Sequence, residues 1–140
     1  GGKSWSTLCP NFLFSTPDSP MQVRKLGDYT IAVFNPIPFY PTSTNFEEWK
    51  APKRSPLVIA VSKNDGVEFS HTNTNDNQAL VKLIEDSLYY IEDDLNASYC
   101  YPAFFEGPDY FLIAYYHTNG TDWCLNCSKI TKIYYNELDK

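Results

Sequence analysis

Apolar and polar residues alternate with a period of two in several short runs of this chain, and glycine, proline or acidic residues separate the runs. Such alternation is typical of half-buried strands. The predicted strands lie at Met21–Leu26, Tyr29–Asn35, Pro56–Ser62, Ala79–Ile84, Tyr99–Phe105, Tyr110–Tyr116 and Lys129–Tyr135. The links GD, NDG and EGPD are short enough for hairpins. The pattern therefore predicts an all-β chain.

Two segments do not follow this alternation. Residues 36–53 carry four prolines and predict a long loop, of a kind that is usually functional or disordered in compact domains. The run from Gln78 to Ile91 has two interpretations, because its leucines and isoleucines could also share one face of an amphipathic helix. We favour a strand that ends at Ile84 and is followed by a loop.

The composition fits one domain of short strands. The chain has 140 residues, and its 11 tyrosines, 9 phenylalanines and 10 prolines favour strands and turns over helices. A net charge of -6, with no stripe or run of basic residues, argues against nucleic-acid and membrane partners. The opening GGKSWSTLCP lacks the charged and apolar regions of a signal peptide. Secreted and cytoplasmic locations both stay open.

The four cysteines and the acidic residues do not predict a metal site. Cys9, Cys100, Cys124 and Cys127 are spaced too irregularly for a disulfide framework. The CLNC run imitates a redox motif but lacks the surrounding βαβ unit, so we favour coincidence over a redox pair or a zinc half-site. The run Glu92–Asp94 lacks the spacing of a calcium loop and predicts a solvated turn. We expect no cofactor.

Two turns share one pattern. GGKSW at the start and SKNDGVEF at Ser62–Phe69 both place a glycine three residues before an aromatic residue, and together they fit Ser-x-Asp-x-Gly-x-Thr-Trp. In such a turn a polar side chain binds backbone N–H groups, and glycine adopts positive φ. The aromatic residue, Trp5 or Phe69, is expected to anchor the next strand in the core. The pattern by itself implies a hairpin and no chemistry.

These turns resemble the Asp-boxes of sialidase-type β-propellers, with Asn64 in place of the box aspartate and Phe69 in place of its tryptophan. The similarity extends along nearly the whole chain, through SPMQVRKL, YTIAVFN, RSPLVIAVSKNDG and IEDDLNASYCYPAFF. It implies about two blades of antiparallel sheet from a six-bladed propeller. Within a single partial domain, 1–140, residues 1–8 would end a preceding blade, 9–95 would form one blade, and 96–140 would form a final, incomplete blade.

The resemblance also implies two site residues. Arg54 matches one of three arginines that bind the carboxylate of sialic acid, which suits the planar, bidentate guanidinium. Tyr101 matches the nucleophile, because a neutral tyrosine avoids repulsion by the substrate carboxylate. Tyr99, expected on the same strand face, is the alternative nucleophile. Arg54 and Tyr101 should lie on neighbouring strands of adjacent blades and point into one polar cavity.

The implied function is that of the C-terminal part of a sialidase-like glycoside hydrolase that acts on sialic-acid-terminated glycans. The family's base, its acid/base aspartate and two further arginines come from earlier blades, so we expect this chain alone to be inactive. The alternative is a non-catalytic Asp-box fragment with a glycan-binding or structural role. Exposed blade surfaces also predict a homo-oligomer.

Overall fold

Seven β-strands form two antiparallel sheets in the computed structural model, which describes residues 2–5, 7, 14, 19–36, 54–66, 89–94, 97–119 and 127–139. The first sheet has the order β1-β2-β3-β4. Its strands are β1 (Gln22–Leu26), β2 (Tyr29–Phe34), β3 (Leu57–Ser62) and β4 (Tyr89–Glu92). The second sheet has the order β5-β6-β7, with β5 (Ala97–Glu106), β6 (Tyr110–Asn119) and β7 (Cys127–Tyr134). A 3-10 helix follows at Tyr135–Asp139.

The turns of the first sheet follow from local chemistry. Gly27 adopts a φ of 57° between β1 and β2, where Leu26 pairs with Tyr29, so the two strands reverse over two residues. After β3, Gly66 adopts a φ of 83°, and its N–H donates to the Ser62 hydroxyl at 2.9 Å. The same hydroxyl donates to the Asn64 side-chain oxygen at 2.8 Å. The predicted turn with Gly66 at positive φ is therefore confirmed, whereas the returning strand of the predicted Ser62–Phe69 hairpin, with Phe69, lies outside the described residues.

The two sheets pack face to face around one apolar core. β2 and β3 contribute residues such as Ile31 and Ile59, and the facing strands contribute Tyr99, Phe111 and Ile113, all of them buried. Burial of these aromatic and branched side chains from water is the main force that holds the sheets together. The inward and outward alternation along each strand is the period-two pattern of the sequence.

The outer faces of the two sheets differ in how they are covered. On the first sheet, the paired Ala32 and Ala60 are buried in a cluster against which Phe14 and Met21 pack. On the second sheet, the paired residues Ala103 and Ala114 lie on the outer face and are not fully buried. Beside them Phe105 is 60% exposed and Ile130 is 69% exposed. The described residues therefore leave this second apolar face open to solvent.

Six of the seven predicted strands are confirmed within one or two residues at most ends. β6 runs three residues further than predicted, to Asn119, because its backbone stays paired with β5, Thr118 with Ser98 and Asn119 with Ala97. The seventh predicted strand, Ala79–Ile84, and most of the predicted loop at 36–53 lie outside the described residues. The prediction of a loop after Ile84 is wrong at Tyr89–Glu92, which forms β4 because its backbone pairs with β3. The same strand excludes the alternative helix at Ile91.

One expected aromatic anchor is also wrong. Trp5, in the first of the two similar turns, is 89% exposed. No strand begins within residues 2–5, so the ring has no described sheet there to pack against. Within the parts of the chain that the structure describes, no helix has the length and apolar character needed to cross a membrane.

Candidate functional site

Arg54 lies just before β3, and its backbone is held against the second sheet. The Tyr99 N–H donates to the Arg54 carbonyl oxygen at 2.8 Å. The Asn35 side-chain amide donates to the same oxygen at 2.9 Å. The next residue, Ser55, donates its hydroxyl to the Asp94 carbonyl at 2.7 Å. These bonds fix the segment that carries Arg54 to the start of β5, although the two are far apart in sequence.

Tyr101 lies at an irregular point of β5. Cys100 pairs with Tyr116 and Ala103 pairs with Ala114, so the register shifts between Cys100 and Ala103 as in a β-bulge. Tyr101 adopts a φ of 55°, an unfavourable backbone region for a bulky residue. Its side chain is 48% exposed. The bulge therefore turns a tyrosine of an otherwise regular strand toward solvent.

The structure brings Arg54 and Tyr101 together. The guanidinium carbon of Arg54 lies 5.7 Å from the centroid of the Tyr101 ring, within cation–π range. Partial burial lowers the pKa of Arg54, but its interactions with the Cys100 thiol and with Tyr101 outweigh this and raise it. The guanidinium is therefore a fixed positive charge beside a phenol, and it remains half-buried rather than fully solvated.

A second tyrosine borders this pair. The Tyr116 ring meets the Tyr101 ring edge to face, with centroids 6.1 Å apart and an angle of 82° between the planes. Tyr116 is 44% exposed, so both rings are accessible to a ligand. Arg54, Tyr101 and Tyr116 are called the Arg54 site below. Such a site offers a cation for a carboxylate and aromatic faces for the apolar side of a sugar ring.

Tyr99 does not share a strand face with Tyr101, and that expectation is wrong. Tyr99 is 1% exposed and packs in the core between the sheets, where its ring stacks on His117 at 5.3 Å. The bulge that follows Tyr99 separates the directions of the two side chains. Burial, together with the negative charge of Glu92, raises the pKa of Tyr99 to about 12. A buried phenol of this kind is not placed to meet a substrate.

Glu92 forms a polar link between the sheets that the sequence analysis missed. It ends β4, and its carboxylate accepts from the Tyr115 hydroxyl at 2.5 Å and from the Lys129 ammonium at 2.8 Å. Burial alone would raise the pKa of Glu92, but these hydrogen bonds lower it below its ordinary value of 4.5. The prediction of a solvated turn is therefore wrong at Glu92. A carboxylate at the end of an apolar run is common, so the sequence offered no signal for this link.

Asn35 is the second functional candidate that the sequence analysis did not single out. It is 2% exposed and follows β2 directly. A single polar residue after an apolar strand is too common to indicate a role, so nothing in the sequence pointed to it. Its bonds to the Arg54 segment and to β5 become visible only once both sheets are in place.

The predicted polar cavity around Arg54 and Tyr101 stays a prediction. A described cavity of about 320 Å³ lies elsewhere, lined by Asp109, Tyr134, Tyr135 and Asn136. Asp109 precedes β6 at the end of the second sheet opposite to Tyr101. In the described ranges, no three histidine, cysteine, aspartate or glutamate side chains are grouped as metal ligands. Cys9 and Cys124 lie outside those ranges, and Cys100 and Cys127 are free thiols.

Comparison of the chain with protein-family models, with curated proteins and with solved structures found no match. The function must therefore be argued from the residues and their geometry.

Proposed function

We propose that this chain is part of a sialidase-type β-propeller and that the Arg54 site recognises the carboxylate of a sialic-acid-terminated glycan. The observation that carries the proposal is the contact between the Arg54 guanidinium and the Tyr101 ring, at 5.7 Å. The two residues are far apart in the sequence. Arg54 precedes β3 of the first sheet and Tyr101 lies in β5 of the second. The anchored segment places Arg54 at the site, and the bulge places Tyr101 there.

The chemistry of the pair supports this substrate class. A guanidinium binds a carboxylate through two parallel hydrogen bonds, and its contribution grows as water is excluded. A tyrosine that is neutral until a base removes its proton meets less repulsion from the substrate carboxylate than an aspartate would. Its oxygen would bond to the anomeric carbon as the glycosidic bond breaks, the family's base would take the phenol proton, and the family's aspartate would protonate the departing oxygen. In this proposal Arg54 binds the substrate and Tyr101 is the nucleophile.

The propeller part of the proposal is supported by the Ser62 turn and by the stacked sheets. The bonds of the Ser62 hydroxyl to Asn64 and Gly66 are those expected of an Asp-box with asparagine in place of aspartate. A four-stranded sheet stacked face to face on a three-stranded sheet suits one blade followed by an incomplete one. The division into 1–8, 9–95 and 96–140 belongs to the same proposal.

A second candidate is a non-catalytic Asp-box fragment that binds glycans or serves only as scaffold. One observation favours it. Within the described ranges the contacts of Tyr101 are with Arg54 and Tyr116, neither of which carries a carboxylate to act as base. A nucleophilic tyrosine needs such a base. A binding site would need only the cation and the rings.

Titration of the isotope-labelled chain with N-acetylneuraminic acid, followed by NMR, tests the recognition of the carboxylate. We expect shift changes centred on Arg54 and Tyr101. Arg54→Lys should weaken binding about tenfold, because a charged hydrogen bond in fork geometry contributes roughly 1.5–3 kcal/mol. Arg24→Lys is the matched control, since Arg24 lies on exposed β1. The methyl ester of the same sugar, which lacks the charge, should bind as weakly as the Arg54 variant does.

Equal binding of the acid and its ester would contradict the proposal.

A measurement of sialoside hydrolysis distinguishes the two candidate functions. A longer polypeptide that adds the base, the aspartate and the two arginines of the family should hydrolyse a fluorogenic sialoside, and Tyr101→Phe should abolish that turnover. Binding without turnover in that polypeptide would favour the second candidate.

A further inference from the structure

We propose that Asn35 is a positioning residue that holds Arg54 within reach of Tyr101. The inference rests on the proposed role of the Arg54 site. Asn35 does not touch the Tyr101 ring or the Arg54 guanidinium in the described contacts, and it acts through the backbone of both segments.

One amide nitrogen joins three backbone carbonyls. Asn35 Nδ2 donates to the Arg54 oxygen at 2.9 Å, to the Pro56 oxygen at 2.9 Å and to the Tyr99 oxygen at 3.1 Å. The amide has two N–H groups for three acceptors, so one N–H is shared between two carbonyl oxygens. All three partners are acceptors, so the amide orientation is unambiguous: its oxygen in this place would face three carbonyl oxygens. The donor is buried, and water is not available to replace it there.

These three bonds bracket the Arg54 site from both sides. The Arg54 and Pro56 carbonyls belong to the segment that enters β3, and the Tyr99 carbonyl lies two residues before Tyr101, next to the bulge. The Tyr99 N–H also donates to the Arg54 oxygen. The loss of the amide therefore removes the three-way clamp and leaves the Tyr99 N–H bond to the Arg54 oxygen and the Ser55 hydroxyl bond to the Asp94 oxygen. The Arg54 side chain would then be displaced from the Tyr101 ring.

A purely structural role would give a different result, and the chain offers a matched control for it. Ser62 is a buried polar residue like Asn35, 1% exposed, and lies at the other end of the β2–β3 pair. Its hydroxyl binds backbone and side-chain groups of its own turn. Ser62→Ala should destabilise the first sheet without touching the segment that carries Arg54.

The contact between Arg54 and Tyr101 can be measured without any ligand. Nuclear Overhauser effects between the Arg54 side-chain protons and the Tyr101 ring, with the ring-current shift of those protons, report it directly. In the full chain Asn35→Ala should lose both signals, and Ser62→Ala should keep both. If Asn35→Ala does not fold, Asn35→Ser retains one short donor and should keep the fold with weakened signals. Unchanged signals in a folded Asn35 variant, or their loss in Ser62→Ala as well, would overturn the proposal.

Binding of N-acetylneuraminic acid is the second readout. Asn35→Ala, or Asn35→Ser in its place, should weaken binding about tenfold, as Arg54→Lys does, because a displaced guanidinium no longer forms both parallel hydrogen bonds to the carboxylate. Ser62→Ala should bind as the wild type does. If the wild type binds no sugar and the Asn35 variant still loses the Arg54–Tyr101 contact, the positioning role stands and the proposed function fails. If the wild type binds and the Asn35 variant binds equally well, the positioning role fails and the proposed function stands.

Discussion

Removal of the Tyr115 hydroxyl should loosen the packing of the two sheets. Tyr115 is 2% exposed, and its hydroxyl donates to the Glu92 carboxylate at 2.5 Å and lies 2.9 Å from the Thr131 hydroxyl. Tyr115→Phe keeps the buried ring and removes only these bonds. A hydrogen bond to a charged group contributes roughly 1.5–3 kcal/mol and a neutral one roughly 0.5–1.5 kcal/mol. Part of this lost free energy is offset in the phenylalanine variant, because no hydroxyl has to be removed from water on folding.

We expect Tyr115→Phe to lower the free energy of unfolding by about 2 kcal/mol and the melting temperature by about 6 °C. Urea denaturation and calorimetry measure both quantities. Tyr116→Phe is the matched control, because Tyr116 is the next residue of β6 and its side chain is exposed. It should change the unfolding free energy by less than about 0.5 kcal/mol.

A double-mutant cycle with Glu92→Gln tests whether the loss comes from the Glu92 bond itself. A coupling free energy of about 1 kcal/mol or more is expected for side chains in direct contact. If the two substitutions are additive, or if Tyr115→Phe is as mild as Tyr116→Phe, the argument that this hydroxyl links the sheets is refuted.

Three further predictions concern other parts of the chain. Folding lowers the pKa of Glu92, so its stabilisation is present above the ordinary value of 4.5 and is lost as pH falls through the folded value. The stability advantage of the wild type over Glu92→Gln should therefore disappear on acidification. A difference in unfolding free energy that persists in acid would contradict this prediction. Ser62→Ala should cost about 1–2 kcal/mol in urea denaturation, because the Gly66 N–H loses its acceptor; no measurable loss would show that water replaces the hydroxyl. The open face around Ile130 should bind a second copy, so light scattering should show concentration-dependent oligomers that Ile130→Lys suppresses; a wild-type monomer at high concentration would exclude this.

Local pattern was sufficient to determine the all-β class, six described strands and the turns at Gly27 and Gly66. The reason is that these features depend on neighbours within a few residues, through period-two alternation and the tolerance of glycine for positive φ. The same local rules did not predict β4, because Tyr89–Glu92 becomes a strand through its pairing with β3, which is distant in sequence. Residues 67–88 lie outside the described ranges, and the strand predicted there stays a prediction.

The candidate site divides in the same way. Arg54 and Tyr101 were singled out from the sequence, and their roles stay predictions, but only the tertiary structure places the guanidinium beside the ring. The opposite directions of Tyr99 and Tyr101 depend on a bulge, whose register shift is a property of two paired strands and not of one. Asn35 and Glu92 look like ordinary polar residues at strand ends, and their partners lie on other strands. Hydrogen bonds between distant segments carry no periodic signal along the chain, so the folded structure alone decides which polar residues form them.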